Sequence, residues 1–212
     1  MDYSIVANSC ISWVIYKQYN PTIHEMFINY TTPFISSWFP NDNEYLKLCE
    51  NYEYYISLEP RFGPPISSEW EKNTMNKRHT NPQWGEYVVM FLDDVEIHWI
   101  HDFKPSLVLK KFKGRLKNNS ENELLFLWSD LAMFNKHTED ERKILINRFN
   151  AINHKTIFLT KHKEEEYVDN MTVVKFVPKW ENMSDSIRTD GFLTWSTMPE
   201  FFDLYKDIIN KI

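Results

Sequence analysis

Leu124-Leu125-Phe126-Leu127-Trp128-Ser129-Asp130 is a short apolar run that turns polar at its C-terminal end. Five consecutive large apolar residues suit a strand buried on both faces, the kind found in parallel sheets covered by helices. Two other segments share this form. Ser4-Ile5-Val6-Ala7 runs into Asn8-Ser9-Cys10, and the strand expected over residues 155–160 runs into Lys161-His162. Helical patterns lie between them. Residues 11–19 place Ile11, Val14, Ile15 and Gln18 on one face; a helix from Asp42 or Asn43 to Ile56 places Tyr45, Leu48, Cys49, Tyr52 and Ile56 on another.

Lys104-Pro105 opens a helix reaching about Lys117, with proline suited to a first helical position. Thr138, with Glu141 three residues later, caps a helix over residues 139–150. A strand over residues 172–177 and a helix from Met198-Pro199 complete the series. Strands alternating with helices predict a three-layer α/β fold with a mostly parallel, mixed central sheet flanked by helices. The whole of residues 1–212 is expected to form one such domain, with an irregular excursion at 59–85 rich in proline and glycine. The architecture is Rossmann-like but lacks a glycine-rich loop: Gly63, Gly85, Gly114 and Gly191 are far apart, whereas phosphate-cradling loops need several glycines together.

Composition narrows the partners. A net charge of −6, from 24 basic and 30 acidic residues, with no concentrated basic stripe, argues against nucleic acid. The sequence contains no apolar run of membrane-spanning length and no leader pattern, so a cytoplasmic location is expected, in a cell or an infected host cell. Cys10 and Cys49 lack metal-site spacing and are expected to be reduced thiols.

In α/β sheets, ligands bind beyond the carboxyl ends of the strands. Asn8, Ser9, Cys10, Ser129, Asp130, Lys161 and His162 are all placed at such ends, so they are candidates for one crevice, with Thr22 and His101 as further substrate contacts. A second constellation follows the apolar run 87–92: Asp93-Asp94-Val95-Glu96-Ile97-His98-Trp99-Ile100-His101. If the strand persists, Asp94, Glu96 and His98 share a face. They are candidate catalytic groups together with Asp130, and Asp94-x-Glu96 is an acid-x-acid pair of the sort that holds Mn²⁺ or Mg²⁺. His24, His79, His137 and His154 read as ordinary surface or core histidines, Glu139-Asp140-Glu141 as charge favoured at a helix N-terminus, and Glu164-Glu165-Glu166 as a solvated run.

These segments resemble a family of bacterial and viral proteins, formally a domain of unknown function, whose members are often labelled exopolysaccharide or polysaccharide biosynthesis proteins. The resemblance covers most of the chain. It rests on Ser4-Ile-Val-Ala-Asn-Ser-Cys10, Tyr19-Asn-Pro-Thr-Ile23, residues 45–57, Leu92-Asp-Asp-Val-Glu-Ile-His-Trp-Ile-His101, Trp128-Ser-Asp130 and Phe158-Leu-Thr-Lys161. The chain departs from the family pattern at Ile11-Ser12-Trp13 and Leu131-Ala132-Met133. The resemblance implies sugar-polymer assembly, and the leading expectation is a glycosyltransferase or glycan-assembly enzyme joining a nucleotide-activated sugar to a glycan acceptor. Asp94, Glu96 or His98 would act as base, with Asn8, Ser9 and Lys161 or His162 on the leaving phosphates. Two other classes compete: a hydrolase or acyltransferase with Ser9 or Cys10 as nucleophile and His98 or His101 as base, and a non-catalytic glycan- or protein-binding module.

Overall fold

The computed structural model describes residues 3–8, 33–34, 37–66, 87–99, 102–118, 123–129, 137–160, 166–168 and 171–175. In chain order the elements are β1 (Tyr3–Ala7), α1 (Asp42–Glu50), α2 (Tyr52–Ser57), β2 (Arg61–Phe62), β3 (Val88–Leu92), β4 (Val95–Trp99), α3 (Pro105–Asn118), β5 (Glu123–Ser129), α4 (Glu139–Asn150), β6 (Lys155–Thr160), β7 (Glu166–Val168) and β8 (Met171–Lys175). The helices expected over 11–19 and from Met198 lie outside the described residues.

The fold is α/β. A five-stranded sheet has the order β1-β5-β6-β8-β7. β1, β5, β6 and β8 are mutually parallel, and β7 is antiparallel to β8. Register places Val6 opposite Phe126 and Trp128 opposite Phe158. These four residues form one face, which packs into a core with Tyr45 of α1 and Phe149 of α4. Trp128 stacks on Phe158 at 4.4 Å between ring centroids, and Phe149 meets Trp128 edge-on. Ile5, Leu125, Leu127, Ile157 and Leu159 alternate onto the opposite face and are also buried. Burial on both faces is why these strands read as unbroken apolar runs. Tyr45 completes the docking of α1, its hydroxyl 2.9 Å from the carbonyls of both Val6 and Leu127.

The single helix expected from residue 42 to 56 is two. Asn51 leaves helical geometry (φ −135°, ψ 43°) and its carbonyl accepts from the Tyr55 N–H, starting α2. Asparagine competes with the helix backbone for its own hydrogen bonds, and the interruption leaves Leu48, Cys49, Tyr52 and Tyr55 all in the core. Glu166, the last of the three glutamates, opens β7.

The larger correction concerns residues 87–101. The strand does not persist through Asp94: it reverses. Leu92 pairs with Val95 across a two-residue turn, and Asp93 adopts φ 54°. A tight hairpin needs positive φ at its first turn position, which aspartate tolerates better than most residues. β3 and β4 therefore form a separate antiparallel sheet of order β2-β3-β4. β2 arises within the segment read as an irregular excursion, whose residues 67–85 lie outside the described ones.

The capping box before α4 is present in full, with Thr138 Oγ1 accepting from the Glu141 N–H and Glu141 accepting from the Thr138 N–H. Those hydrogen bonds from Thr138 hold the Glu141 carboxyl below its ordinary range. Thr138→Ala is expected to lower the melting temperature by about 2–4 °C, measured by circular dichroism.

Candidate functional site

β1 and β5 end side by side, and the side chain of Asn8 ties them together. Its Nδ2 donates to the Ser129 carbonyl at 2.9 Å, and its Oδ1 accepts from the Ser129 N–H at 3.2 Å. The same Nδ2 lies 3.3 Å from Asp42 Oδ1. Asn8, Ser129 and Asp42 are all buried, Asp42 at 1 % exposure. Parallel strands bring their carboxyl ends to one edge, so residues 121 positions apart meet as the sequence pattern anticipates.

Asp42 comes from the first residue of α1, behind Asn41, whose side chain caps the helix by accepting from the Glu44 N–H at 3.0 Å. A helix N-terminus favours a carboxylate. The second oxygen of Asp42 is 2.8 Å from Nε2 of His137, which immediately precedes the Thr138 cap of α4. The imidazole retains 18 % exposure while its carboxylate partner is enclosed. A buried carboxylate held by an amide on one oxygen and facing an accessible imidazole with the other fixes the ring's orientation. Arg142, one turn into α4, brings a guanidinium to the same edge, with Nη2 3.1 Å from Thr160 Oγ1 at the end of β6.

His137 and Asp42 were not anticipated. His137 reads from sequence as an ordinary histidine and Asp42 as a helix start. The usable signal was positional: in a β-α-β unit the start of the helix lies at the same sheet edge as the end of the preceding strand. The capping box at Thr138 placed His137 there.

The acid-histidine segment is arranged differently from the expected row. Asp94 sits in the hairpin turn, its side chain 58 % exposed. Oδ1 accepts from the Tyr55 hydroxyl at 2.8 Å and Oδ2 lies 3.2 Å from Lys47 Nζ. The Tyr55 hydrogen bond, then Lys47, holds the Asp94 carboxyl below its ordinary range. Glu96 and His98 do share a face of β4 and are both buried. Glu96 Oε1 is 2.6 Å from His98 Nε2, and Oε2 accepts from the Ile66 N–H at 3.1 Å. Burial pushes the His98 pKa below its ordinary 6.5 despite the nearby carboxylate.

This arrangement does not fit a Mn²⁺ or Mg²⁺ at Asp94 and Glu96. All four carboxylate oxygens are already engaged, one beside the cationic Lys47, and no group of three or more ligating side chains suited to a metal occurs among the described residues. Ser9, Cys10, Thr22, His101, Asp130, Lys161 and His162 lie outside the described residues. Of the expected crevice, the structure brings together Asn8 and Ser129, adds Asp42, His137 and Arg142, and assigns Glu96 and His98 to the small sheet. The two regions meet through the first turn of α1, where Glu44 Oε2 accepts from the Glu96 N–H at 3.1 Å.

Among the described residues no helix is long and apolar enough to cross a membrane. Comparison with curated proteins gives no match. Residues 1–205 match the family described as Domain of unknown function (DUF1919), and the chain belongs to that family.

Proposed function

We propose that the protein is a group-transfer enzyme of glycan assembly, a glycosyltransferase acting on a nucleotide-activated sugar and a glycan acceptor, with His137 as general base. The observation that carries this reading is the buried Asp42 carboxylate 2.8 Å from His137 at the carboxyl ends of the parallel strands. Transfer to a hydroxyl needs a group that removes its proton as the new bond forms. The His137 imidazole, oriented by the Asp42 carboxylate 2.8 Å away, is the group that takes that proton. Asn8 prevents Asp42 from turning away. The leaving diphosphate develops negative charge, which Arg142 offsets at this edge, with Lys161, next after β6 in the sequence, as the further cation the reading assigns. Sugar as the transferred group is what the resemblance drawn from the sequence implies. Asp94, Glu96 and His98, assigned by sequence to the chemistry, act here as supports: Glu96 and His98 brace the hairpin that α1 packs against.

A thermal-shift screen of nucleotides and nucleotide sugars tests the donor. A ligand at a hundred times its dissociation constant adds about 2.7 kcal/mol, or roughly 5–10 °C for a chain of this size. At least one nucleotide sugar is expected to give such a shift, and no shift from any of them would overturn the reading.

A second reading is favoured by one observation. Asn8, which touches Asp42, is followed directly by Ser9-Cys10. A hydroxyl or thiol there, with His137 and Asp42, would make a nucleophile–base–acid set for hydrolysis or acyl transfer. Ser9→Ala and Cys10→Ala separate the two. Both variants retain turnover if His137 activates an acceptor hydroxyl, and one of them loses it if the chain supplies the nucleophile.

A further inference from the structure

At the far end of α1, roughly 13 Å from Asp42 by the rise of its nine residues, a cleft of about 610 Å³ opens between the α1–α2 junction and the turn joining α4 to β6. It lies at the amino end of β6, the sheet edge opposite the Asp42–His137 site, and its volume is in the range of small-ligand sites.

Arg148, Glu50 and Tyr54 of its lining are held by contacts of their own. The Arg148 guanidinium is gripped by both oxygens of Glu50, at 2.7 and 2.8 Å, and by Asn43 Oδ1 at 2.8 Å. Tyr54 is 52 % exposed, yet its ring packs edge-on against Tyr55 and its hydroxyl donates to Asp93 Oδ2 at 3.1 Å. Asn51, Glu53 and Asn153 line the cleft with exposed amide and carboxylate groups.

The electrostatics select the ligand. Glu50 cancels Arg148, Glu53 adds a negative charge, His154 is taken up edge-on against Phe126, and α1 and α4 both direct their carbonyl ends towards this edge. An anion such as a nucleotide is therefore disfavoured. A side chain with a planar pair of hydrogen-bonding atoms matches two adjacent hydroxyls, and an aromatic face covers the C–H face of a sugar ring. We propose that this cleft binds an uncharged saccharide, with Tyr54 as the ring platform and Asn51, Glu53 and Asn153 on its vicinal hydroxyls. The site is separate from His137 and does not depend on the transfer reading.

The test is ¹⁵N-resolved NMR of the full chain titrated with maltose, cellobiose, lactose and N,N′-diacetylchitobiose. At least one disaccharide is expected to shift amides of residues 49–54 and 148–154 saturably. Tyr54→Ala and Asn153→Ala, both at exposed positions, are each expected to weaken binding about tenfold with the spectrum's dispersion retained, while His137→Gln leaves it unchanged. The proposal is overturned if none of the four gives saturable shifts, if the shifts survive in both cleft variants, or if spermidine or pyrophosphate gives the same saturable pattern.

Discussion

His137→Gln is expected to lower turnover by about 10²- to 10⁴-fold while leaving the melting temperature within roughly 2 °C of the parent. Glutamine keeps a donor able to face Asp42 but has no nitrogen that accepts a proton near neutral pH, so the variant removes the base and spares the packing. Asp42→Asn probes the same pair from the buried side. It leaves the ring without the carboxylate that orients it, so turnover should fall across the whole pH range although His137 is kept. A pH–rate profile of both variants, with donor and acceptor identified by the ligand screen, checks this. Unchanged turnover in His137→Gln would remove His137 from the chemistry and leave the Asp42–His137 pair a structural tie between α1 and α4.

Glu96→Ala is expected to have the largest effect on stability, about 3 kcal/mol or roughly 10 °C in melting temperature. The loss follows from what Glu96 holds. Its Oε1 receives the enclosed His98 at 2.6 Å and its Oε2 the N–H of the exposed Ile66, so truncation leaves the buried imidazole without this partner. His98 also predicts a direction with pH. Burial lowers its pKa in the folded chain, so below the ordinary 6.5 the unfolded chain binds a proton that the folded chain does not. Stability then rises with pH up to about 6.5 and falls as the medium is acidified below it, until the lowered folded value is passed. Urea unfolding at a series of pH values should show this slope, and His98→Gln should flatten it. A slope of equal size in His98→Gln would assign the acid sensitivity to other groups.

Much of the fold was legible because its strands carry period and burial in their composition. Leu124 to Trp128 and Ile157 to Leu159 are apolar on both faces, as the strands of a helix-covered parallel sheet are. The Thr138–Glu141 box marked the start of α4 to the residue, since capping is a local exchange of hydrogen bonds. The hairpin at Asp93-Asp94 was not legible in the same way. A turn of two aspartates lacks the glycine or asparagine that usually announces positive φ, and the apolar alternation continues unbroken on both sides of it.

The candidate site divides along the same line. Asn8 and Ser129 could be read from sequence because strand ends are local features and parallel strands bring like ends together. Glu96 and His98 were visible as chemistry, but their pairing with each other and with Ile66 was not, because it depends on a hairpin that the sequence does not announce. Asp42 and His137 carry no motif: they stand 95 positions apart, and each is an ordinary residue beside a helix cap. The sequence by itself determined the α/β class, the helix starts and the edge of the sheet where polar groups gather, because these follow from periodicity and from hydrogen bonds between near neighbours. The tertiary structure alone decided which carboxylate meets which imidazole, because that contact requires α1 and α4 to dock on one face of the sheet and bring their N-termini together.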